Sequence, residues 1–160
     1  GGLGQEEAII QALNHSQAPS AVQCVINPLN SAGAIGYVSE AFNPLAILSE
    51  CQQLDIPILA IRAVQAGALT SSMDRPPHES GFDKTDFDDF DKAEPFRDLA
   101  IEWGESPASL AHRYALSIKG VASVILGVKN RTELKECVEA EAKDLLSDSE
   151  IQQIENCLKG

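Results

Sequence analysis

Apolar residues recur along the chain with two different periods, and the alternation sets the order of elements. From Gln5 to Asn14, Ala8, Ile9, Ala12 and Leu13 form one apolar stripe, which predicts a helix. Ala21–Ile26 is a short, nearly continuous apolar run, the pattern of a strand covered on both faces. A loop rich in Gly, Ser and Ala follows from Asn30 to about Ser39. Pro44 opens a second helix with Leu45, Leu48, Cys51 and Leu54 on its buried stripe. Ile58–Ile61 is the next strand.

Residues 71–92 read differently. This segment holds Pro76-Pro77 and then Asp83, Asp86, Asp88, Asp89 and Asp91, interleaved with Phe82, Phe87 and Phe90. Like charges so dense repel one another, so a long, solvated acidic loop or lid is expected. A docking strip of acids and aromatics is the alternative. Pro95 then starts a helix with Phe96, Leu99, Ala100 and Trp103 on one face. Gly104 interrupts it, and Ser106-Pro107 caps a restart of helix that runs through Ser117. Val121–Leu126 is a third buried strand. Asn130 and Glu133 cap a helix expected to carry Leu134, Cys137 and Val138 inward. Ser147–Glu150 is a capping box that opens a last helix with Ile151, Ile154 and Leu158 on one face. The order α-β-α-β-α-β-α-α predicts an α/β fold with a parallel sheet.

Composition narrows the function. The chain has 160 residues, a net charge of -12 and 44% hydrophobic residues, which suit one soluble domain. The acidic balance argues against nucleic acid and against an anionic membrane surface as partners. No apolar run approaches the roughly 20 residues of a membrane helix. Cys24, Cys51, Cys137 and Cys157 form no C-x-x-C pair, so reduced core thiols in a cytoplasmic protein are expected, with no metal site. The common phosphate-cradling and nucleophile motifs are absent. Of the histidines His15, His78 and His112, the last is expected on a helix surface.

The strand-to-loop junctions carry what chemistry remains, because ligands of barrels and open α/β sheets sit at the strands' C-terminal ends. At Gly127 a glycine closes the third strand, and Lys129 and Arg131 flank a helix N-terminus. Free N–H groups and two cations there make an anion site, or else an ordinary turn and cap.

These junctions resemble the aldo-keto reductases. Val22-Gln23 through Asn27-Pro-Leu-Asn30 is similar to the family's sixth barrel strand, and Ile61 through Thr70 to its seventh strand and loop, usually Y-S-P-L-x-x-G-x-L-T. Ser106 to Ala111 resembles the start of its seventh helix. Val124-Ile-Leu-Gly127, with Lys129, Glu136 and Ala140, resembles the eighth strand and helix. Leu146-Ser147 through Ile154 matches the terminal helix.

The resemblance implies about strands six to eight of a TIM (β/α)8 barrel with a C-terminal helix, in a single partial NADP-dependent oxidoreductase domain over residues 1–160. Gly2-Leu3-Gly4 then falls just after a fifth strand, and the family's catalytic Asp, Tyr, Lys and His belong to a part outside this chain. No catalytic residue is therefore assigned. A complete barrel would move hydride between NAD(P)H and a small carbonyl compound, and this half is expected to be inactive alone. A non-enzymatic regulatory module of the same fold, or a truncated product, is the alternative.

By the same resemblance Gln23 holds the nicotinamide carboxamide, and the loop from Arg62 through Gly67 to Leu69 wraps the pyrophosphate. Gly127, Lys129 and Glu136 hold the adenosine end, with Lys129 on the 2'-phosphate. The implied cofactor is NADP, with NAD possible. Five positions depart from the family pattern: Ile61 replaces the stacking tyrosine and Arg62-Ala63 the Ser-Pro pair. Glu133 stands where Arg or Gln is usual, and Cys137 where Asn is usual. Open barrel edges imply self-association.

Overall fold

The computed structural model describes residues 4–35 and 42–159. The expected reading of Gly2-Leu3 and the end of the loop over residues 30–39 lie outside the described residues. Three strands form one parallel sheet in the order β1 (Val22–Val25), β2 (Ile58–Ile61), β3 (Val121–Val124). Val22 pairs with Ile58 and Val25 with Ile61, and β2 meets β3 with a shift of register after Ile58.

Helix α1 (Glu6–Leu13) precedes β1, and α2 (Pro44–Gln53) connects β1 to β2. Asn43 starts α2 by accepting a hydrogen bond from the Ala46 N–H. Ile47 and Cys51 of α2 bury against Val22, Cys24, Ile58 and Ala60, with Leu13 of α1 closing the same cluster. Parallel strands bury their helix-side residues in this way because each crossover returns across one face.

The long connection from β2 to β3 holds α3 (Lys84–Lys92), α4 (Glu94–Glu102) and α5 (Pro107–Ser117). After β3 come α6 (Arg131–Glu141) and α7 (Asp148–Cys157), the latter opened by the expected Ser147–Glu150 capping box. Phe96, Leu99, Leu110, Tyr114 and Ile154 join α4, α5 and α7 in a second cluster, which also takes Leu69 from the loop after β2.

Five expectations change. On α2, Leu45 and Leu54 of the expected buried stripe are 51% and 39% exposed, because the helix turns Ile47 and Cys51, one turn apart, towards the sheet instead. Residues 71–92 are not one solvated acidic loop, since 84–92 form α3 and Asp83, Asp86 and Asp89 are buried. Their repulsion is relieved by partners on neighbouring segments: arginines for Asp86, backbone and side-chain donors for the other two. Phe87 and Phe90 lie against the guanidinium groups of Arg75 and Arg97, so Phe82 alone of the three is strongly exposed.

β3 is not covered on both faces. Ala122 and Ser123 are exposed, as is Gln23 of β1; successive strand side chains point to opposite faces, so neither face of β3 is fully covered among the described residues. On α6, Cys137 and Ala140 face inward, while Leu134 and Val138 are 46% and 58% exposed. The helix rests on α5 through its small side chains, and the larger aliphatic pair points away. His112 is buried rather than on a helix surface, because this face of α5 lies under α6. All four cysteines are free thiols, three of them buried.

Candidate functional site

The site grows from the loop after β2. Its backbone is held in the left-handed region at Arg62 (φ 57), Gln65 (φ 45), Ala66 (φ 52) and Gly67 (φ 98). Such conformations cost non-glycine residues energy and persist only when surroundings fix them. Here the fixing is done by side chains. Gln65 is fully buried, donates to Asp89 at 2.8 Å and accepts from Arg62 Nε at 2.7 Å. Arg62 reaches Asp86 at 3.3 Å, and Arg75 reaches the same carboxylate at 2.8 Å. Arg75 also donates to the Ala66 carbonyl at 3.0 Å. Helix α3 therefore clamps the β2 loop from outside.

The opposite wall is the β3–α6 junction. Asn130 caps α6 by accepting from the N–H groups of Thr132 and Glu133 at 2.9 and 3.0 Å. The Glu133 carboxylate turns back to accept from the Lys129 N–H at 2.7 Å and from Asn130 Nδ2 at 2.8 Å. Glu136 accepts a hydrogen bond from the Ser106 hydroxyl. Lys129 Nζ forms an ion pair with Asp74.

Between these walls lies a cavity of about 520 Å³. It is lined on one side by Val64, Ala66, Gly67 and Thr70 to Ser72, and on the other by Gly127 to Lys129. Its inner wall includes His112, Glu133, Glu136 and Cys137. Ala108, Asp74 and Arg75 also line it. A cavity of this size, partly apolar with a few converging polar groups, has the character of a small-molecule site.

Burial depresses the pKa of His112, with Glu136 opposing, and raises that of Cys137. The pair is thus a neutral imidazole and a protonated thiol, 3.1 Å apart between Nε2 and Sγ. The other ring nitrogen, Nδ1, is buried and has no partner among the described residues. An unpaired buried polar atom costs about 1–3 kcal/mol.

Of the residues expected from sequence, Gly67, Gly127, Lys129 and Glu136 converge on this cavity. Gln23 does not line it and is exposed on the open face of β1. Leu69 is fully buried in the second core cluster. Arg62 is committed to Asp86 and Gln65. Sequence reasoning missed Asp74 and Arg75, which sat inside the segment read as an acidic loop. It also missed His112 as a pocket residue; its spacing from Ala108 and Ala115, one turn away on either side, was the available signal.

The profile of the aldo/keto reductase family matches residues 6–159. The chain belongs to the aldo/keto reductase family. Among solved structures it is similar to the glycerol dehydrogenase of Gluconobacter oxydans, with a TM-score of 0.62 and 20% identity. That match covers 86% of this chain and 42% of the dehydrogenase chain, so the chain spans less than half of that relative. At this identity the likeness carries the fold, a partial TIM barrel. No curated protein sequence matches the chain. No helix among the described residues is long and apolar enough to cross a membrane.

The family's nicotinamide cofactors can be tested against the cavity. Gly127 leaves open space where a Cβ would stand, the size suits part of a dinucleotide, and His112 offers an unpaired ring nitrogen in the wall. The residues fit the nucleoside end of such a group.

Proposed function

We propose that the chain supplies the cofactor-holding part of an oxidoreductase that moves hydride between a nicotinamide dinucleotide and a small carbonyl compound. The observation that carries this reading is the convergence of Gly67, Gly127, Lys129 and Glu136 on one cavity. When bound, the dinucleotide supplies the hydride chemistry, and the protein supplies binding and orientation. The β2 loop, from Val64 to Ser72, forms one wall for the diphosphate region. The Gly127–Lys129 turn and the first turns of α6 form the wall for the adenosine. Gln23, at the open face of β1, stands ready to bond a carboxamide from the sheet side.

The clamp between α3 and the β2 loop preorganises the first wall, and the Asn130 cap preorganises the second. Preorganisation lowers the ordering cost of binding. No residue of this chain is assigned to proton transfer, so the 160 residues alone are expected to bind cofactor without turnover.

The test is calorimetric titration of the purified chain with the reduced cofactors, beside a Gly127→Trp variant. A bulky ring at Gly127 fills the space beside the cavity. Saturable binding by the wild type, weakened at least tenfold in the variant, supports the reading. Equal binding by both, or none by the wild type at millimolar cofactor, overturns it.

A further inference from the structure

The charges around the cavity carry an inference about which dinucleotide it takes, and this inference rests on the reading above. Five charged side chains line the cavity. Asp74, Glu133 and Glu136 are acids, against the cations Arg75 and Lys129. Both cations are already engaged. Lys129 Nζ is paired with Asp74, and Arg75 is divided between Asp86 at 2.8 Å, Asp74 at 3.2 Å and the Ala66 carbonyl.

Three N–H donors at the start of α6, those of Lys129, Thr132 and Glu133, are also taken. The Asn130 side chain accepts the N–H groups of Thr132 and Glu133, and Glu133 itself accepts the Lys129 N–H. A phosphate monoester carries nearly two negative charges at neutral pH and needs free cations or N–H donors. It would meet three carboxylates here instead. A ribose with two free hydroxyls has the opposite need: each hydroxyl is a donor, and a carboxylate holds acceptor sites beyond those it already uses. A carboxylate is the usual partner of such a diol, and an arginine that of the 2'-phosphate.

We infer that the cavity selects the dinucleotide with a free 2'-hydroxyl, NAD(H), over its 2'-phosphorylated counterpart, with Glu133 and Asp74 setting the preference. Glu133 excludes the phosphate by its charge at the turn, and Asp74 does so by neutralising Lys129. This reverses the assignment of Lys129 to a 2'-phosphate.

The experiment measures dissociation constants of NADH and NADPH for the 160-residue chain by cofactor fluorescence, in the wild type, Glu133→Gln and Asp74→Asn. Gln keeps an acceptor for the Lys129 N–H while removing the charge. Asp74 is on an exposed segment, so its variant remains informative if the Glu133 variant fails to fold. The wild type is expected to bind NADH at least about tenfold more tightly than NADPH, which is ~1.4 kcal/mol. Each variant is expected to narrow that ratio about threefold or more, chiefly by tightening NADPH.

Equal affinities, or tighter NADPH binding by the wild type, overturn the preference and leave the cofactor site standing. A preference for NADH that neither variant narrows overturns the assignment to Glu133 and Asp74. Absence of binding by both cofactors overturns the site itself and the inference with it.

Discussion

Asp86→Ala tests the clamp that holds the β2 loop in its strained path. Asp86 is 5% exposed and accepts three hydrogen bonds: from Arg75 at 2.8 Å, from the Ala34 N–H at 3.0 Å and from Arg62 at 3.3 Å. A hydrogen bond to a charged group is worth about 1.5–3 kcal/mol. The Arg62 and Arg75 side chains are 21% and 34% exposed, so water screens both pairs and the lower end applies. Allowing for rehydration of the released partners, Asp86→Ala is expected to cost about 3 kcal/mol, the lower edge for breaking a buried pair. For a chain of this size that lowers Tm by about 6–12 °C. Asp86→Asn retains the shape and one acceptor and is expected to cost about half as much. The assay is urea unfolding followed by circular dichroism, with a double-mutant cycle against Arg75→Met. A coupling of about 1 kcal/mol is expected between the two positions. A loss below about 0.5 kcal/mol, or strict additivity in the cycle, refutes the clamp.

Asn130→Ala removes the cap of α6 and is expected to cost about 1 kcal/mol, read as a fall in Tm of about 2–4 °C; an unchanged Tm contradicts the cap's role. His112 is held below its ordinary value of 6.5 by burial, so the folded state binds its proton less tightly than the unfolded state. Its contribution to stability is therefore present above about pH 6.5 and is lost as the pH falls from there towards the folded value. Urea unfolding between about pH 7 and pH 5 is expected to show a shallower pH slope in His112→Leu than in the wild type, and equal slopes contradict this. Exposed Ile125, Leu126, Leu134 and Val138 surround the open edge at β3. The chain is expected to sediment as a dimer or larger species, shifted towards monomer by Leu134→Lys with Val138→Lys; a monomeric wild type at tens of micromolar refutes it.

Much of the fold was legible because its signals are local. Pro44, Ser106-Pro107, Asn130 and the Ser147–Glu150 box mark helix starts by backbone chemistry that neighbouring elements do not change. The strands announced themselves as apolar runs between turn residues. Exposure was less legible, because it depends on what lies across the sheet. Ala122 and Ser123, at adjacent positions of an edge strand, are exposed because neither face of β3 is fully covered among the described residues.

Helix α3 was hidden for a related reason. Seven residues of Lys84–Lys92 are charged or threonine, and only tertiary partners turn such a segment inward. Asp86 needs Arg62 and Arg75, and Asp89 needs Gln65 and Ser31, all from other segments. Gly67, Gly127, Lys129 and Glu136, expected through family resemblance at strand ends, line one cavity. His112 was not expected there, because its helical spacing from Ala108 and Ala115 marks a buried face but does not separate a cavity wall from a packed core. Asp74 was missed because its pairing with Lys129 spans two distant loops.

The most direct test of the central claim is amide chemical-shift mapping of the isotopically labelled chain during titration with NADH. The account predicts saturable shifts clustered at residues 64–75 and 127–137, the two walls of one cavity. Shifts concentrated instead around Pro28, Glu94 and Glu155, which line a separate groove, would contradict it, as would no saturable shift at all.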